Sequence, residues 1–221
     1  MAGSGSSETA TFFPSLLLAN VQSLRNKVED LKKRLEDRDI DVCAITDARI
    51  VDAAQAEIPG YTLWVMSREE RAKGGVALYV RDDITSTVLP IQVPNKLEVL
   101  WVRVDPRGLP GDVSCLVFCV VHHNQPHTSH LREPLISHLM DVVGGIYSRE
   151  PDTGIVILGD FRDFPEHKIP PELNLQQVVN KPTNRDVMDI IITNLAQYYK
   201  KPKLLRPIAA SSHKSVYWVP K

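Results

Sequence analysis

Polar residues follow apolar runs at several points of this 221-residue sequence. Those at the ends of predicted strands are Asn20, Asp47, His122, His123, Asp160, Asp189 and His213. Carboxylate and amide oxygens are ligands that hold Mg²⁺, and a histidine can stabilise charge or relay a proton. This set of side chains therefore suits metal-assisted hydrolysis of a phosphodiester, provided that the fold brings them together.

Asp160 has the clearest setting of these residues. The aliphatic run from Ile155 to Leu158 is typical of a strand buried on both faces, and Gly159 ends the run. Ligands bind at the carboxyl edge of such strands, so we interpret Asp160 as a candidate for binding a metal ion or a water. The alternative is that Asp160 only caps the turn that follows.

The composition is that of an ordinary folded protein, with 43% hydrophobic and 24% charged residues. No apolar stretch approaches the length of a membrane span, so we expect no membrane association. Cys43, Cys115 and Cys119 lie in apolar runs, which favours buried thiols and an intracellular protein, nuclear or cytoplasmic. Residues 1–13 are predicted to form a flexible leader, and residues 14–221 a single domain.

The net charge of −1 argues against a protein that coats nucleic acid indiscriminately. The charge is nevertheless uneven, because residues 181–221 hold eight basic and two acidic residues, a local balance of +6. This segment favours a surface that faces phosphate groups, with Lys181, Arg185 and Lys214 as candidate nucleic-acid contacts. The alternative is a solvated basic surface that binds nothing.

Strand and helix patterns alternate along the chain and would position these residues. Apolar runs predict strands over residues 15–20, 40–46, 63–66, 76–80, 99–104, 114–121, 155–158, 175–179, 189–193 and 215–219. Leucines at helical spacing after Ser23, the predicted N-cap, indicate one helix, and a second is predicted over residues 129–147. The connections between residues 76 and 121 are too short for crossover helices, so we expect antiparallel pairing there and one α/β domain with mixed sheets.

Short motifs occur along nearly the whole chain after the leader. They are NVQSLRNK at 20–27, AITD at 44–47, IPGY at 58–61, GGVALYVRD at 74–82, LWV at 100–102, LGDF at 158–161, VNKPT at 179–183, MDIIITN at 188–194 and SSH at 211–213. In this order they resemble the endonuclease domain of non-LTR (LINE-type) retrotransposons, a member of the endonuclease/exonuclease/phosphatase superfamily. The resemblance implies a four-layer α/β sandwich, in which two mixed β-sheets pack face to face with helices on the outside.

The same resemblance implies an activity and roles for four residues. The activity is attack of water on a DNA phosphodiester, assisted by Mg²⁺ or Mn²⁺, which nicks target DNA to prime reverse transcription. Asn20 matches the asparagine that helps to position the metal ion, and Asp160 the aspartate that binds or activates the water. His213 matches the histidine that contacts the scissile phosphate, and Asp189 the aspartate that orients it.

Two departures from the family pattern affect the metal ion and the phosphate. Asp47 stands where the family has a glutamate as its main metal ligand, and the shorter side chain withdraws the charge by roughly 1.5 Å. Because Mg²⁺ demands near-ideal distances, we expect the metal site at Asp47 and Asn20 to be weakened. His122 replaces a tyrosine and could still donate a hydrogen bond to phosphate.

Two further departures lie beside the matched residues. Arg162 stands where a compact asparagine should hold the attacking water. It could pair with Asp160 and lower its pKa, or it could clamp a phosphate without cutting. Ser212 replaces an aspartate next to His213 and so removes a negative charge.

Four replacements in one inferred site favour an endonuclease-like domain, derived from a retrotransposon, with little or no nuclease activity. In that reading the fold is retained for binding DNA through the basic C-terminal third, or for binding a protein. The alternative is an active endonuclease that uses Mg²⁺ or Mn²⁺ to nick DNA. Phosphatase activity on a small phosphoester has no supporting motif.

Overall fold

Two six-stranded β-sheets form the centre of the structure, a computed structural model that describes residues 12–66, 75–123, 129–161 and 168–221. In chain order the strands are β1 (Leu16–Asn20), β2 (Val42–Thr46), β3 (Tyr61–Met66), β4 (Val76–Arg81), β5 (Thr85–Val88), β6 (Glu98–Asp105), β7 (Cys115–His123), β8 (Thr153–Phe161), β9 (Gln176–Gln177), β10 (Asp189–Thr193), β11 (Lys203–Leu205) and β12 (Ser215–Trp218). The helices are α1 (Val28–Arg38) and α2 (Ser129–Arg149), with short 3-10 turns at Ala53–Ala56, Pro171–Leu173 and Ala196–Tyr198.

Both sheets are mixed, as the sequence predicts. The first has the order β11-β12-β1-β2-β4-β3 and the second the order β5-β6-β7-β8-β10-β9. The parallel pairs are β1 with β2 and β7 with β8, and each pair is joined by a helix, α1 or α2, as parallel neighbours require. Strands β6 and β7 pair antiparallel, as expected for the middle of the chain. Strand β4 instead lies in the first sheet, where it pairs antiparallel with β2 and β3.

Three apolar interfaces separate four layers. Alternate residues of the two sheets, such as Leu18 and Leu158, pack against each other between the sheets. Leu31 of α1 packs on the outer face of the first sheet, and Leu139 of α2 packs on the outer face of the second. The predicted four-layer α/β sandwich is therefore confirmed. None of the helices in the described part of the chain is long and apolar enough to cross a membrane.

The structure corrects several local predictions. Ser23 is not the N-cap of α1, as predicted, but lies before a turn. The helix begins at Val28, and the N-cap residue is Lys27, whose side chain makes no capping hydrogen bond. Strands β5 and β11 were not predicted, because both are short and β5 is largely exposed. Phe13, assigned to the leader, is buried and stacks on Tyr198 with ring centroids 4.6 Å apart. The packed part of the chain therefore begins before residue 14.

Gly159 allows β7 and β8 to approach closely just before Asp160. A Cβ atom at this position would lie 1.9 Å from the backbone oxygen of Val121. No rotamer change relieves a clash with backbone, so glycine is required if Asp160 is to keep its place.

We expect Gly159→Ala to lower the free energy of unfolding by about 3 kcal/mol or more, as measured by urea denaturation. The matched control is Gly144→Ala within α2, where an added Cβ would have open space around it. That change should be neutral or stabilising by up to about 1 kcal/mol, because alanine favours helix. Equal effects of the two substitutions would contradict the close approach.

Candidate active site

Polar side chains replace apolar ones at one end of the layer between the sheets. Residues in register on neighbouring strands point to the same face of a sheet. In the second sheet one such row crosses β6, β7, β8 and β10 and consists of Glu98, His122, Asp160 and Asp189. Asn20 and Thr46 are paired in the same way on the first sheet. His123 follows His122 on β7, so it points to the opposite face and is not part of this row.

Asn20 and Asp160 are in direct contact across the two sheets. Asn20 Nδ2 donates a hydrogen bond to Asp160 Oδ2 at 2.7 Å, and both residues are buried. Asn20 Oδ1 accepts a bond from the backbone N–H of Gln22, which fixes the orientation of the amide. The two sheets are thus joined where their polar ends meet.

Asp189 and His213 form a buried carboxylate–imidazole pair. The His213 Nδ1 and Asp189 Oδ2 atoms are 2.8 Å apart, and the side chains are 3% and 0% exposed. The His213 backbone N–H donates to Ser211 Oγ, which in turn donates to the Asn20 backbone oxygen. These bonds connect the end of the chain to β1 and leave Nε2 of His213 for contact with a ligand.

Burial and neighbouring charges shift the pKa values of these groups. The pKa of Asp160 is raised, first because the carboxyl is buried and then because Asp189 lies beside it. Burial alone would lower the pKa of His213, but the hydrogen bond and charge of Asp189 outweigh it, so the pKa is raised. The pairing of Arg162 with Asp160 stays a prediction. Arg162 lies outside the described residues.

Asp47 is engaged by an arginine two residues later. Arg49 Nε lies 2.8 Å from Asp47 Oδ1 and Arg49 Nη2 lies 2.8 Å from Asp47 Oδ2, so the guanidinium binds both oxygens. The bond to Asp47 also raises the pKa of Arg49. A divalent cation would have to displace Arg49 before Asp47 could ligate it, so the arrangement does not fit the metal site that the resemblance implies.

A second group of potential ligands lies deeper. One ligand atom each from Asp160, Asp189 and His213 lie within 4.8 Å of one another. The Asp189 and His213 atoms already hydrogen bond to each other, however, and Asp160 accepts a bond from Asn20. This group therefore has the composition of a cation site, although each of its members already takes part in a hydrogen bond.

The other two substituted positions have different surroundings. His122 Nδ1 lies 2.6 Å from Oε2 of Glu98, which is buried. The sequence patterns did not indicate Glu98 as a residue of the site. The available signal was an acidic residue at the start of an apolar strand. Ser212 is exposed at the rim, where its backbone N–H donates to Gln22 Oε1, and its hydroxyl accepts a bond from Asn184.

The basic residues of the last 41 positions divide between two ends of the sandwich. Lys181, Arg185 and Lys214 are exposed, and the Lys214 N–H donates to the backbone oxygen of Thr183, next to the Asp189–His213 pair. At the other end of β12, the Lys200 N–H donates to the Val219 oxygen. The three predicted nucleic-acid contacts therefore lie at the rim of the candidate site.

Comparison with known proteins agrees with this fold. A sequence model described as the Endonuclease/Exonuclease/phosphatase family matches residues 17–161. The search of curated proteins gives no match to the sequence. The superfamily predicted from the motifs is thereby confirmed.

Solved structures with the same fold include three nucleases. The endonuclease domain of TRAS1, a telomere-specific non-LTR retrotransposon, has a TM-score of 0.73 and 13% identity over 94% of this chain and 98% of its own. The AP endonuclease LMAP from Leishmania major has a TM-score of 0.73 and 12% identity over 97% and 94%. The 3'-5' exonuclease NExo from Neisseria meningitidis has a TM-score of 0.62 and 15% identity over 94% and 99%. At such low identity, these likenesses show the shared fold alone.

Arg49→Gln should strengthen binding of Mn²⁺, because it frees both oxygens of Asp47. We expect an affinity gain of about three- to tenfold by isothermal titration calorimetry, the scale of a partly exposed ion pair. The control is Arg25→Gln, since Arg25 lines the same surface groove as Arg49. An equal gain in both variants would indicate a general charge effect and not competition for Asp47.

The Asp189–His213 pair should make stability depend on pH. Because the folded-state pKa of His213 is raised, its stabilisation is complete below the unfolded value of about 6.5 and is lost as pH rises through the folded value. Asp189→Asn should therefore destabilise the protein by about 2 kcal/mol more at pH 6 than at pH 9. Chemical denaturation measures this difference, with the exposed Asp152→Asn as control. A difference that does not change with pH would contradict the pairing.

Proposed function

The chain belongs to the Endonuclease/Exonuclease/phosphatase family, and we propose that it is a DNA-binding member with little or no nuclease activity. The observation that carries this proposal is the Asp47–Arg49 pair. Its two 2.8 Å bonds engage both oxygens at the position of the expected metal ligand. Aspartate in place of glutamate weakens ligation of a metal ion, and so does the pairing of Asp47 with Arg49.

DNA binding is supported by groups that need no metal ion. His213 is held by Asp189 with a raised pKa, so the ring favours the cationic form that attracts a phosphate oxygen. Lys181, Arg185 and Lys214 at the rim would bind phosphates on either side. A related structure, NExo from Neisseria, has been solved with a product DNA hairpin.

An active Mg²⁺- or Mn²⁺-dependent endonuclease is the second candidate. It is favoured by the two pairs that match the family pattern, Asn20 with Asp160 and Asp189 with His213. The raised pKa of Asp160 also moves this carboxyl towards the range in which a general base works at neutral pH. A nicking assay separates the two candidates.

We expect the protein to leave supercoiled plasmid uncut in Mg²⁺ or Mn²⁺. The triple substitution Asp47→Glu, Arg162→Asn and Ser212→Asp restores three of the four replaced family residues and should give measurable nicking. The added change His213→Ala should then abolish it, because the phosphate contact is lost. Nicking by the unsubstituted protein that disappears in Asp160→Ala would establish the second candidate instead.

DNA binding should persist in EDTA. For a fluorescent duplex, Lys214→Gln should reduce affinity several-fold and lower the slope of log K against log salt by about one, because one phosphate contact is removed. The matched control is Lys201→Gln, an equally exposed lysine at the other end of β12. Equal losses in the two variants would contradict binding at the candidate site.

A further inference from the structure

Basic side chains gather along β11, the strand at one edge of the first sheet. In the described part of the chain, β11 pairs only with β12, so its outer side is open. Arg34 of α1 reaches the end of this strand, where its Nη1 atom donates a hydrogen bond to the Arg206 backbone oxygen at 3.0 Å. The surface, which we call the basic edge, consists of Arg34, Arg38, Lys201, Lys203 and Arg206.

Lys203 and Arg38 lie on the same face of the basic edge. Lys203 is opposite Tyr217 in the register of β11 and β12, and the Arg38 guanidinium lies over the Tyr217 ring, 6.0 Å from its centroid. Leu205 packs with Tyr217 in the layer beneath α1, whereas Leu204 packs between the two sheets. The side chains of β11 therefore alternate between the two faces, and Lys203 belongs to the face on which α1 lies.

The five cations of the basic edge form no ion pair with a carboxylate of the described residues. In contrast, Arg49, Arg81 and Arg103 each have a carboxylate partner at 2.7 to 2.8 Å. No acidic residue follows Asp189 in the sequence, so the segment that contains β11 supplies none. The charge of the basic edge is therefore available to attract an anionic partner.

The backbone of β11 favours an extended peptide over a nucleic acid as that partner. The open side of an edge strand offers N–H and C=O groups at the spacing of a second strand, whereas phosphate groups would use the cations alone. Pro202 and Pro207 stand on either side of β11, and proline has no N–H to donate, so the open edge is only a few residues long. Lysine at an edge discourages pairing with a neutral or basic strand, which leaves an acidic one.

We propose that the basic edge binds an extended segment of a partner protein that carries glutamate or aspartate at every second position. The segment adds a strand to β11, and its alternate side chains lie on the same face as Lys203. On that face its carboxylates meet Lys203, Arg38 and Arg34, and opposite charges on neighbouring strands stabilise the pairing. The inference does not rest on the proposed function, because none of these three side chains belongs to the candidate site.

The probe is a fluorescein-labelled peptide in which Glu and Thr alternate over about ten residues, the upper length of an ordinary strand. Fluorescence anisotropy measures its affinity. Lys203→Glu should weaken binding about fivefold or more, because an opposite charge on the neighbouring strand becomes a like charge. The matched control is Lys96→Glu, which makes the same change in charge at an exposed position before β6 of the second sheet and should leave the affinity unchanged.

Two altered peptides separate strand pairing from charge. A peptide in which Glu and Pro alternate keeps the charge but lacks every second N–H, so it should bind about fivefold more weakly or worse. A peptide in which Gln and Thr alternate keeps the N–H groups but lacks the charge, and it should lose affinity to a similar extent. In hydrogen exchange, the backbone amides of residues 203–205 should exchange more slowly when the Glu–Thr peptide is bound.

Four results would overturn the inference. The first two, no binding of the Glu–Thr peptide or equal affinity for the Glu–Pro peptide, rule out strand addition. Equal losses in Lys203→Glu and Lys96→Glu place the binding elsewhere. If duplex DNA displaces the peptide and Lys203→Glu weakens both interactions equally, the basic edge is a nucleic-acid surface. If Lys203→Glu does not fold, as judged by thermal melting, Arg38→Glu at the exposed end of α1 replaces it with the same expectation. The Lys214→Gln test of DNA binding succeeds or fails independently of these results.

Discussion

The hydrogen bond from Asn20 to Asp160 is the contact on which the polar end of the sandwich depends. It joins β1 of the first sheet to β8 of the second at 2.7 Å, at the polar end of a layer whose remainder is largely apolar. A buried carboxylate without such a partner would cost several kcal/mol, so the amide makes the position of Asp160 tenable. Gly159 contributes from the other side, because its missing Cβ lets β8 lie against β7. Together they place Asp160 within reach of both imidazoles.

Carboxylates of the candidate site are paired with basic side chains of the protein itself. Three carboxylates each have a cationic or imidazole partner at 2.6 to 2.8 Å: Asp47 with Arg49, Glu98 with His122, and Asp189 with His213. Carboxylates gathered in a buried site repel one another, and nearby cations relieve that repulsion. In a metal-dependent nuclease the bound ion provides much of this relief. Here Arg49, His122 and His213 are the partners of these three carboxylates.

The sequence predicted the strands and their terminal residues because both depend on local patterns. The apolar run that ends at Asp160 and the one that begins at Asp189 mark the polar ends of two strands. The motif order then indicates that these ends converge. The pairing of Glu98 with His122 was not predictable, because it depends on the register between β6 and β7. The start of α1 was also missed. The Ser23 hydroxyl accepts a bond from the Arg25 backbone N–H, so it caps the turn before α1 and not the helix itself, and the Ser23 N–H donates to the Asp47 backbone oxygen.

The backbone around Asp47 explains why the shorter residue and the internal cation occur together. Asp47 and Arg49 both have positive φ, +50° and +49°, and this turn brings the guanidinium back onto the carboxylate. Aspartate tolerates the left-handed region better than most residues, because its short side chain can bond locally. A glutamate at the same position would lose that advantage, because its longer side chain is less suited to local bonds. The aspartate therefore goes with a turn in which both of its oxygens are paired with Arg49, two residues later.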